Sequence, residues 1–475
     1  MTDCKGAYGK EDFVTKFDSN LLKSYDVNFE IGRGAYSTVY QVKQKSTNEI
    51  RACKYISKAN FTKESLAQFE RECKILEQSD HPNIVKVYEI FNTPKSYYII
   101  MENCNGGSLS IKIDERINNK KPFDENILSE IIRQIASAIK YIHDKNICHR
   151  DIKPDNICFI NMGSMENNTV KLIDFGLSKM MPNNDENKDK INSLVGSPLF
   201  VAPEVLNKKY TNKCDIWSLG VILFLIVGGY PPFLNNDQIL VGKYEFKEEG
   251  FKTASEDVKD LIRRCLEKEE KRISIEEIFE HRWIKKENKI EKAINGLSTE
   301  FEYNLKLYQK MHNLEKKIIM FIAMRLNGDE IHKFEQLFIA LDIDNSGTLS
   351  KEEFLNGIKY LKDVKLTDEE INKLFKKIDT NKNNLIDYTE FISSLIGKDI
   401  YLNTGKLKEV FDYLDINKKG KISKTDVKNV LKLGDKCITK YENLLEEIGK
   451  GKDDEIIFEE FCKLLAKIIS DNMTK

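Results

Sequence analysis

Between Tyr25 and Ile100, short β-branched and aromatic runs such as "TVYQVK", "IRACKYI" and "SYYIIM" predict strands. One stretch at helical spacing, "ESLAQFERECKILEQ", interrupts them. From Leu109 to Ile284, apolar residues recur every three or four positions, as in "ILSEIIRQIASAIKYIH" and "VKDLIRRCLEKE", and predict helices. A small strand-rich lobe followed by a larger helical one is an α+β layout. The longest apolar run, "VILFLIV" at 221–227, is far below the roughly 18–20 residues that span a bilayer, so it predicts a buried helix and no transmembrane segment.

After Ile284 the pattern changes. In "YNLKLYQKMHNLEKKIIMFIAMRL", Tyr308, Met311, Leu314, Ile318 and Phe321 fall three or four residues apart, which predicts one helix with a single apolar face flanked by lysines. Residues 285–327 carry nine Lys/Arg against five Asp/Glu, whereas residues 328–475 carry 29 Asp/Glu against 25 Lys. The two segments are therefore opposite in sign. The last segment also repeats: loops open at Asp342, Asp379, Asp415 and Gly449, at intervals of 37, 36 and 34 residues. Four such units predict two paired lobes.

Composition narrows the setting. The formal net charge of -1 gives no global pull toward nucleic acid. Ten scattered cysteines without a framework spacing read as reduced thiols, expected in a cytoplasmic or nuclear protein. The start, "MTDCKGAYGKEDF", is polar and unlike a signal peptide; Thr2 stands where N-myristoylation requires glycine, and Cys4 reads as a free surface thiol.

The chemistry lies in ordered motifs. "IGRGAYSTVY" (31–40) supplies Gly32 and Gly34, whose small size lets backbone N–H groups close over phosphates. Lys54 in "ACK" can reach phosphate oxygens, and Glu72 in "FERECKIL" is the carboxylate placed to hold it. In "HRDIKPDN" (149–156), Asp151 can accept a substrate hydroxyl's proton, Lys153 can stabilise the transferring phosphoryl and Asn156 can ligate Mg²⁺. "DFG" supplies Asp174 as the main Mg²⁺ ligand; "APE" (202–204) and "DIWSLG" (215–220) follow in order.

In these motifs residues 25–284 resemble a protein kinase domain, of the Ser/Thr type by Lys153. The resemblance implies Met101 as gatekeeper, Glu102 and Cys104 as hinge contacts to the adenine of ATP, and Ile31, Val39, Ala52 and Cys158 as its pocket. It also implies an Arg272–Glu204 pair and a bracing role for Asp215. Arg150 ahead of the catalytic aspartate suggests control by the activation segment, through phosphorylated Ser193 or through acidic residues such as Asp185 and Glu186. Ser108 stands where basophilic relatives carry a glutamate, so substrate preference is open; Asp155 is an acid that could attract a basic residue. A catalytically dead kinase fold is disfavoured because the motif residues are complete.

Two of the repeated loops have complete oxygen sets for Ca²⁺. "DIDNSGTLSKEE" (342–353) offers Asp342, Asp344, Ser346, the Thr348 carbonyl, Ser350 through water, and Glu353. "DTNKNNLIDYTE" (379–390) offers Asp379, Asn381, Asn383, the Leu385 carbonyl, Asp387 and Glu390, with Asn384 at the glycine position. The third loop, 415–426, keeps Asp415, Asn417, Ser423 and Asp426 but places Lys419 at a ligand position; the fourth, 449–460, keeps Asp453 and Glu460 but has Gly449 and Gly451 where donors belong. Weak or no Ca²⁺ is expected at the third loop and none at the fourth. A bridge through Ile422 and Ile456 would still pair these two units.

A kinase domain, a basic junction and four EF-hand units resemble the calcium-dependent protein kinases of plants and protists. The layout expected is an N-terminal extension (1–24), a two-lobed kinase domain (25–284), an autoinhibitory junction (285–327) and an all-α calmodulin-like domain (328–475). The function implied is a Ca²⁺-activated Ser/Thr protein kinase, monomeric, that uses ATP and Mg²⁺, acts on protein substrates and has its junction helix bound by the EF-hand domain. Two rivals are a non-enzymatic Ca²⁺-responsive scaffold and a kinase whose EF-hand region is only a fixed docking module.

Overall fold

The structure is a computed structural model that describes residues 10–17, 21–34, 37–60, 62–119, 123–175, 179–180, 198–207, 211–285, 298–311, 313–326, 328–360, 366–416, 418–433 and 435–474. A six-stranded sheet is built from β1 (Thr15–Phe17), β2 (Tyr25–Arg33), β3 (Ser37–Gln44), β4 (Ile50–Ser57), β5 (Val87–Asn92) and β6 (Ser96–Met101) in the spatial order β1-β5-β6-β4-β3-β2. The pairings are antiparallel except β1 on β5. Part of the N-terminal extension is thus the edge strand of the kinase sheet.

Helix α1 (Lys63–Gln78) packs beside the sheet, and α2 (Leu109–Asn119) and α3 (Glu125–Asp144) begin the helical lobe. Asp124 caps α3 by accepting from the Asn126 amide at 2.7 Å. The "VILFLIV" run lies inside the helix Lys213–Gly228, nearly all of which is buried, as its uniform apolarity requires.

The junction departs from the single amphipathic helix expected. Two helices, Ser298–Lys310 and Asn313–Arg325, replace it. The second is buried from Leu314 to Arg325, including Glu315, Lys316, Lys317 and Arg325. It is enclosed because both EF-hand lobes close around it and its end packs on Phe13 and the kinase sheet: Lys316 donates to the Lys377 carbonyl at 2.6 Å, Lys317 to the Leu431 carbonyl, Phe321 packs on Tyr413 with ring centroids 4.4 Å apart, and Arg51 donates to the Arg325 carbonyl at 3.4 Å. Lysine stems here lie in apolar surroundings and their ammoniums end on carbonyls, a pattern invisible to apolar spacing.

Buried side chains form two cores. One fills the helical lobe and the inner side of the sheet. The other runs without a break from Tyr25, Val42, Tyr88 and Ile100 of the sheet through the junction helices to all four EF-hand units. The sensor is therefore fused to the small lobe by apolar packing.

Candidate functional site: a phosphoryl-transfer cleft and its sensor

Strand pairing fixes the nucleotide face. Val39 lies opposite Lys54, and Ala52 opposite Met101, which places glycine loop, lysine and hinge on neighbouring strands. Gly32 lies in β2 opposite Val39 and Gly34 directly follows the strand, where its amide donates to the Ser37 carbonyl at 2.8 Å. Ile31 is exposed at the mouth. The Lys54 ammonium sits 2.9 Å from Glu72 Oε1 and 3.0 Å from Asp174 Oδ1. Burial opposes its charge, but the carboxylates of Asp174 and Glu72 outweigh burial and hold the ammonium above its ordinary pKa. Lys54 is thus a permanent cation beside the acid expected to hold Mg²⁺.

The catalytic loop is braced from beneath. Asp215, fully buried, accepts from the His149 amide, the Arg150 amide and His143 Nε2 at 2.8, 2.8 and 2.9 Å. Burial pushes this carboxyl up, but the His143 bond, the nearby imidazoles and the backbone donor outweigh it and keep Asp215 ionised. Above it, Asn156 Nδ2 donates to Asp151 at both the backbone oxygen (2.8 Å) and Oδ2 (3.0 Å), and Lys153 Nζ lies 2.8 Å from Asp151 Oδ2. Base, ammonium and amide therefore share one turn. Arg272, buried, forks onto Glu204, with Nη2 3.0 Å from Oε2, and locks the end of the activation segment.

At the hinge the Glu102 amide donates to the Lys86 carbonyl, and the Glu102 carboxylate lies 3.2 Å from Lys171 Nζ. Burial alone would raise this acid; Lys171 and Lys86 hold it below the usual range. Cys104 and Cys158 are half-buried nearby, and Ser108 bridges to Cys158. Ser108 Oγ accepts from the Ile111 amide at 3.4 Å, so this residue starts α2. Ser193, Asp185, Glu186 and Asn417 lie outside the described residues.

In the first EF-hand loop Asp342, Asp344 and Glu353 bring ligand oxygens within 4.8 Å of one another. Asp342 gathers the amides of Ser346 and Gly347 at 2.9 Å each, and Ser350 Oγ donates to Glu353 at 2.8 Å. Gly347 is obligatory: its φ is +76°, and a Cβ would stand 2.2 Å from His81 of the kinase. In the second loop Asp379 accepts from the Asn383 and Asn384 amides, Asn384 adopts φ 63°, and Glu390 accepts from Thr380 and Asn381. The carbonyls of Thr348 and Leu385 flank a two-stranded bridge that joins the loops through Leu349 and Ile386. This donor chemistry fits a hard dication.

Burial, with the charges of Glu353 and Asp344 behind it, pushes Asp342 well above the usual carboxylate range. Burial and like charge also raise Asp387 and Glu390. Acids that hold protons this tightly must release them to a metal, so Ca²⁺ affinity is expected to fall as the medium is acidified below neutrality. Calorimetric titrations at about pH 7.5 and about pH 6 check the sign; proton release and a weaker fit at the lower pH are expected.

The third and fourth loops carry cations of their own. Lys424 Nζ lies 2.6 Å from Asp453 and 2.8 Å from Glu442, and Lys450 Nζ lies 2.6 Å from Glu460. Asp453 and Glu460, the two acids the fourth loop keeps at ligand positions, are thereby paired with lysine. Ile422 and Ile456 form the expected bridge, exchanging bonds of 3.0 Å.

Both complete loops abut the kinase, which no motif announced. Asp80, in the turn after α1, accepts from the Thr389 amide (2.9 Å) and hydroxyl (2.6 Å), and Arg133 of α3 donates to Asn345 at 2.9 Å. Behind the hinge, Glu335 accepts from Thr169 at 2.7 Å and from Tyr388 at 3.1 Å.

A buried lysine held between two carboxylates, a braced catalytic loop and paired EF-hands define a protein kinase joined to a calcium sensor. The protein kinase domain model matches residues 25–284, and the EF-hand domain pair model matches 332–395 and 405–466. Calcium-dependent protein kinase 5 of Plasmodium falciparum (isolate 3D7) is 33% identical over 471 residues, covering 96% of this chain and 80% of the relative. Calcium-dependent protein kinase 3 of Plasmodium berghei (strain Anka) is 32% identical over 474 residues, covering 96% and 83%. Calcium-dependent protein kinase 4 of Plasmodium falciparum (isolate 3D7) is 33% identical over 462 residues, covering 92% and 85%. The chain belongs to the calcium-dependent protein kinases and is a calcium-activated serine/threonine protein kinase. Among the described residues no helix is long and apolar enough to cross a membrane.

Proposed function

We propose that the junction, residues 285–327, restrains the kinase when Ca²⁺ is low, and that the sensor relieves this restraint by enclosing the junction's helices. The observation that carries the reading is the engulfed second junction helix, whose lysines end on sensor carbonyls. A helix buried to this extent inside the sensor cannot at the same time occupy the substrate cleft.

In the transfer step Asp151 orients the substrate hydroxyl and takes its proton, and Lys153 faces the transferring group. Lys54, held by Glu72, fixes the nucleotide phosphates beneath Gly32 and Gly34. Asn156 and Asp174 would hold Mg²⁺, which supplies neutralisation of the phosphate charge. Ile31, Val39, Ala52, Met101 and Cys158 would enclose adenine, with backbone contacts from Glu102 and Cys104. Ca²⁺ is assigned to the loops 342–353 and 379–390. The scattered cysteines, none of them bridged among the described residues, favour a cytoplasmic or nuclear protein.

Phosphorylation of a generic basic peptide by the full chain across a Ca²⁺ titration tests the reading. Little activity in chelator is expected, with a rise that tracks about two bound Ca²⁺ per chain. Equal rates with and without chelator would remove the restraint, and three or four bound ions would show Lys419 turned away from its loop.

A further inference from the structure

Residues 10–17 belong to no motif, yet they touch three parts of the molecule. Phe13 and Val14 are buried. Thr15, Lys16 and Phe17 pair in parallel with Glu89, Ile90 and Phe91, and Phe17 stacks on Phe91 with ring centroids 4.8 Å apart. Toward α1, which carries Glu72, Lys10 donates to the Ser79 carbonyl and Lys16 Nζ lies 2.9 Å from Glu77. Toward the junction, Phe13 meets Phe321 edge-on at 6.4 Å, and Arg325 donates to the Phe13 carbonyl at 3.5 Å. Toward the third EF-hand unit, the Tyr413 hydroxyl donates to the Asp12 carbonyl at 2.9 Å, Lys432 pairs with the Asp12 carboxylate, and the Lys418 ammonium stands 5.5 Å from the Phe17 ring centroid.

We infer that residues 10–17 are an activating strap, gripped by the third EF-hand unit without metal, that positions α1 and hence Glu72 against Lys54. A three-residue edge strand contributes little order by itself, so its place depends on what holds its other side. That other side is the junction and the entering helix of the third unit (Thr404–Leu414), which also reaches the sheet directly: Glu409 lies 3.6 Å from Arg51, and Lys406 lies 3.2 Å from Glu49. Lys10, whose burial lowers its pKa, marks the other end of the strap, where a buried ammonium donates to the turn that ends α1. The lysines of the degraded unit thus acquire a use, since Lys418 and Lys432 face the strap. The inference concerns turnover at saturating Ca²⁺, whereas restraint by the junction is read in chelator, so the two can fail separately.

The test is a charge swap in the full chain. Asp12 and Lys432 touch neither the nucleotide motifs nor the two complete loops. Asp12→Lys and Lys432→Glu are each expected to lower kcat at saturating Ca²⁺ by about fivefold, with peptide KM and Ca²⁺ stoichiometry unchanged. The double variant, with the pair restored in reverse, is expected to recover to within about twofold of the parent. Tyr413→Phe, which deletes only the hydroxyl, should move kcat in the same direction and guards against misfolding of the charge variants. Parental kcat in the single variants and in Tyr413→Phe, or a double variant no better than the singles, would overturn the strap.

Discussion

Asp151→Asn is expected to lower kcat by about 10²–10⁴-fold while the KM values for ATP and peptide change little. The amide matches the carboxylate in size, so the Asn156 contact at 3.0 Å can persist on the remaining oxygen, but no proton acceptor is left and the 2.8 Å pair with Lys153 is lost. The fold beneath is unaffected because Asp215, not Asp151, ties His149 and Arg150 together. Steady-state rates at saturating Ca²⁺, with Ca²⁺ binding measured on the same sample, check the outcome. A rate within about threefold of the parent would take the base role away from Asp151.

Replacing Glu353 and Glu390 together by glutamine should leave the kinase at its chelator rate throughout the Ca²⁺ range in which the parent responds. Each glutamate closes its loop: Glu353 accepts from the Ile343, Asp344 and Ser350 amides, and Glu390 from the Thr380, Asn381 and Asp387 amides. Glutamine keeps the shape but removes a negative charge and one of two ligand oxygens, which moves affinity out of the sensor range of about 10⁻⁷–10⁻⁵ M. Because both loops rest on the kinase through Asp80, His81 and Arg133, loss of either geometry is also felt at the docking face. Full Ca²⁺ activation of the double variant would make the EF-hand region a fixed docking module.

The chemistry was legible because it is local. "HRDIKPDN" carries the candidate base, lysine and Mg²⁺ ligand within one turn, and each complete EF-hand loop carries its candidate ligands within twelve residues. The Arg272–Glu204 and Asp215 braces were reached only through family resemblance, since 68 and 66 residues separate those partners. What escaped has no local signature. Asp80 reads as an ordinary turn residue until Thr389, 309 positions later, meets it. Strand β1 is too short for alternation to declare itself. The junction's break near Met311 was hidden by apolar spacing that continues across it, and its buried lysines looked like a solvated flank.

The lysine pairs of the fourth loop bear on how sharply the enzyme is expected to respond. With Asp453 paired to Lys424 and Glu460 to Lys450, the fourth loop is expected to add no ion-binding event to the activation curve. With Ca²⁺ assigned to the loops 342–353 and 379–390 alone, two sites cooperate through the bridge between Leu349 and Ile386, and a Hill coefficient no higher than about two is the expected result. Compared with a sensor of four working loops, this kinase is then expected to answer a rising signal in a graded way, over a wider span of ion concentration.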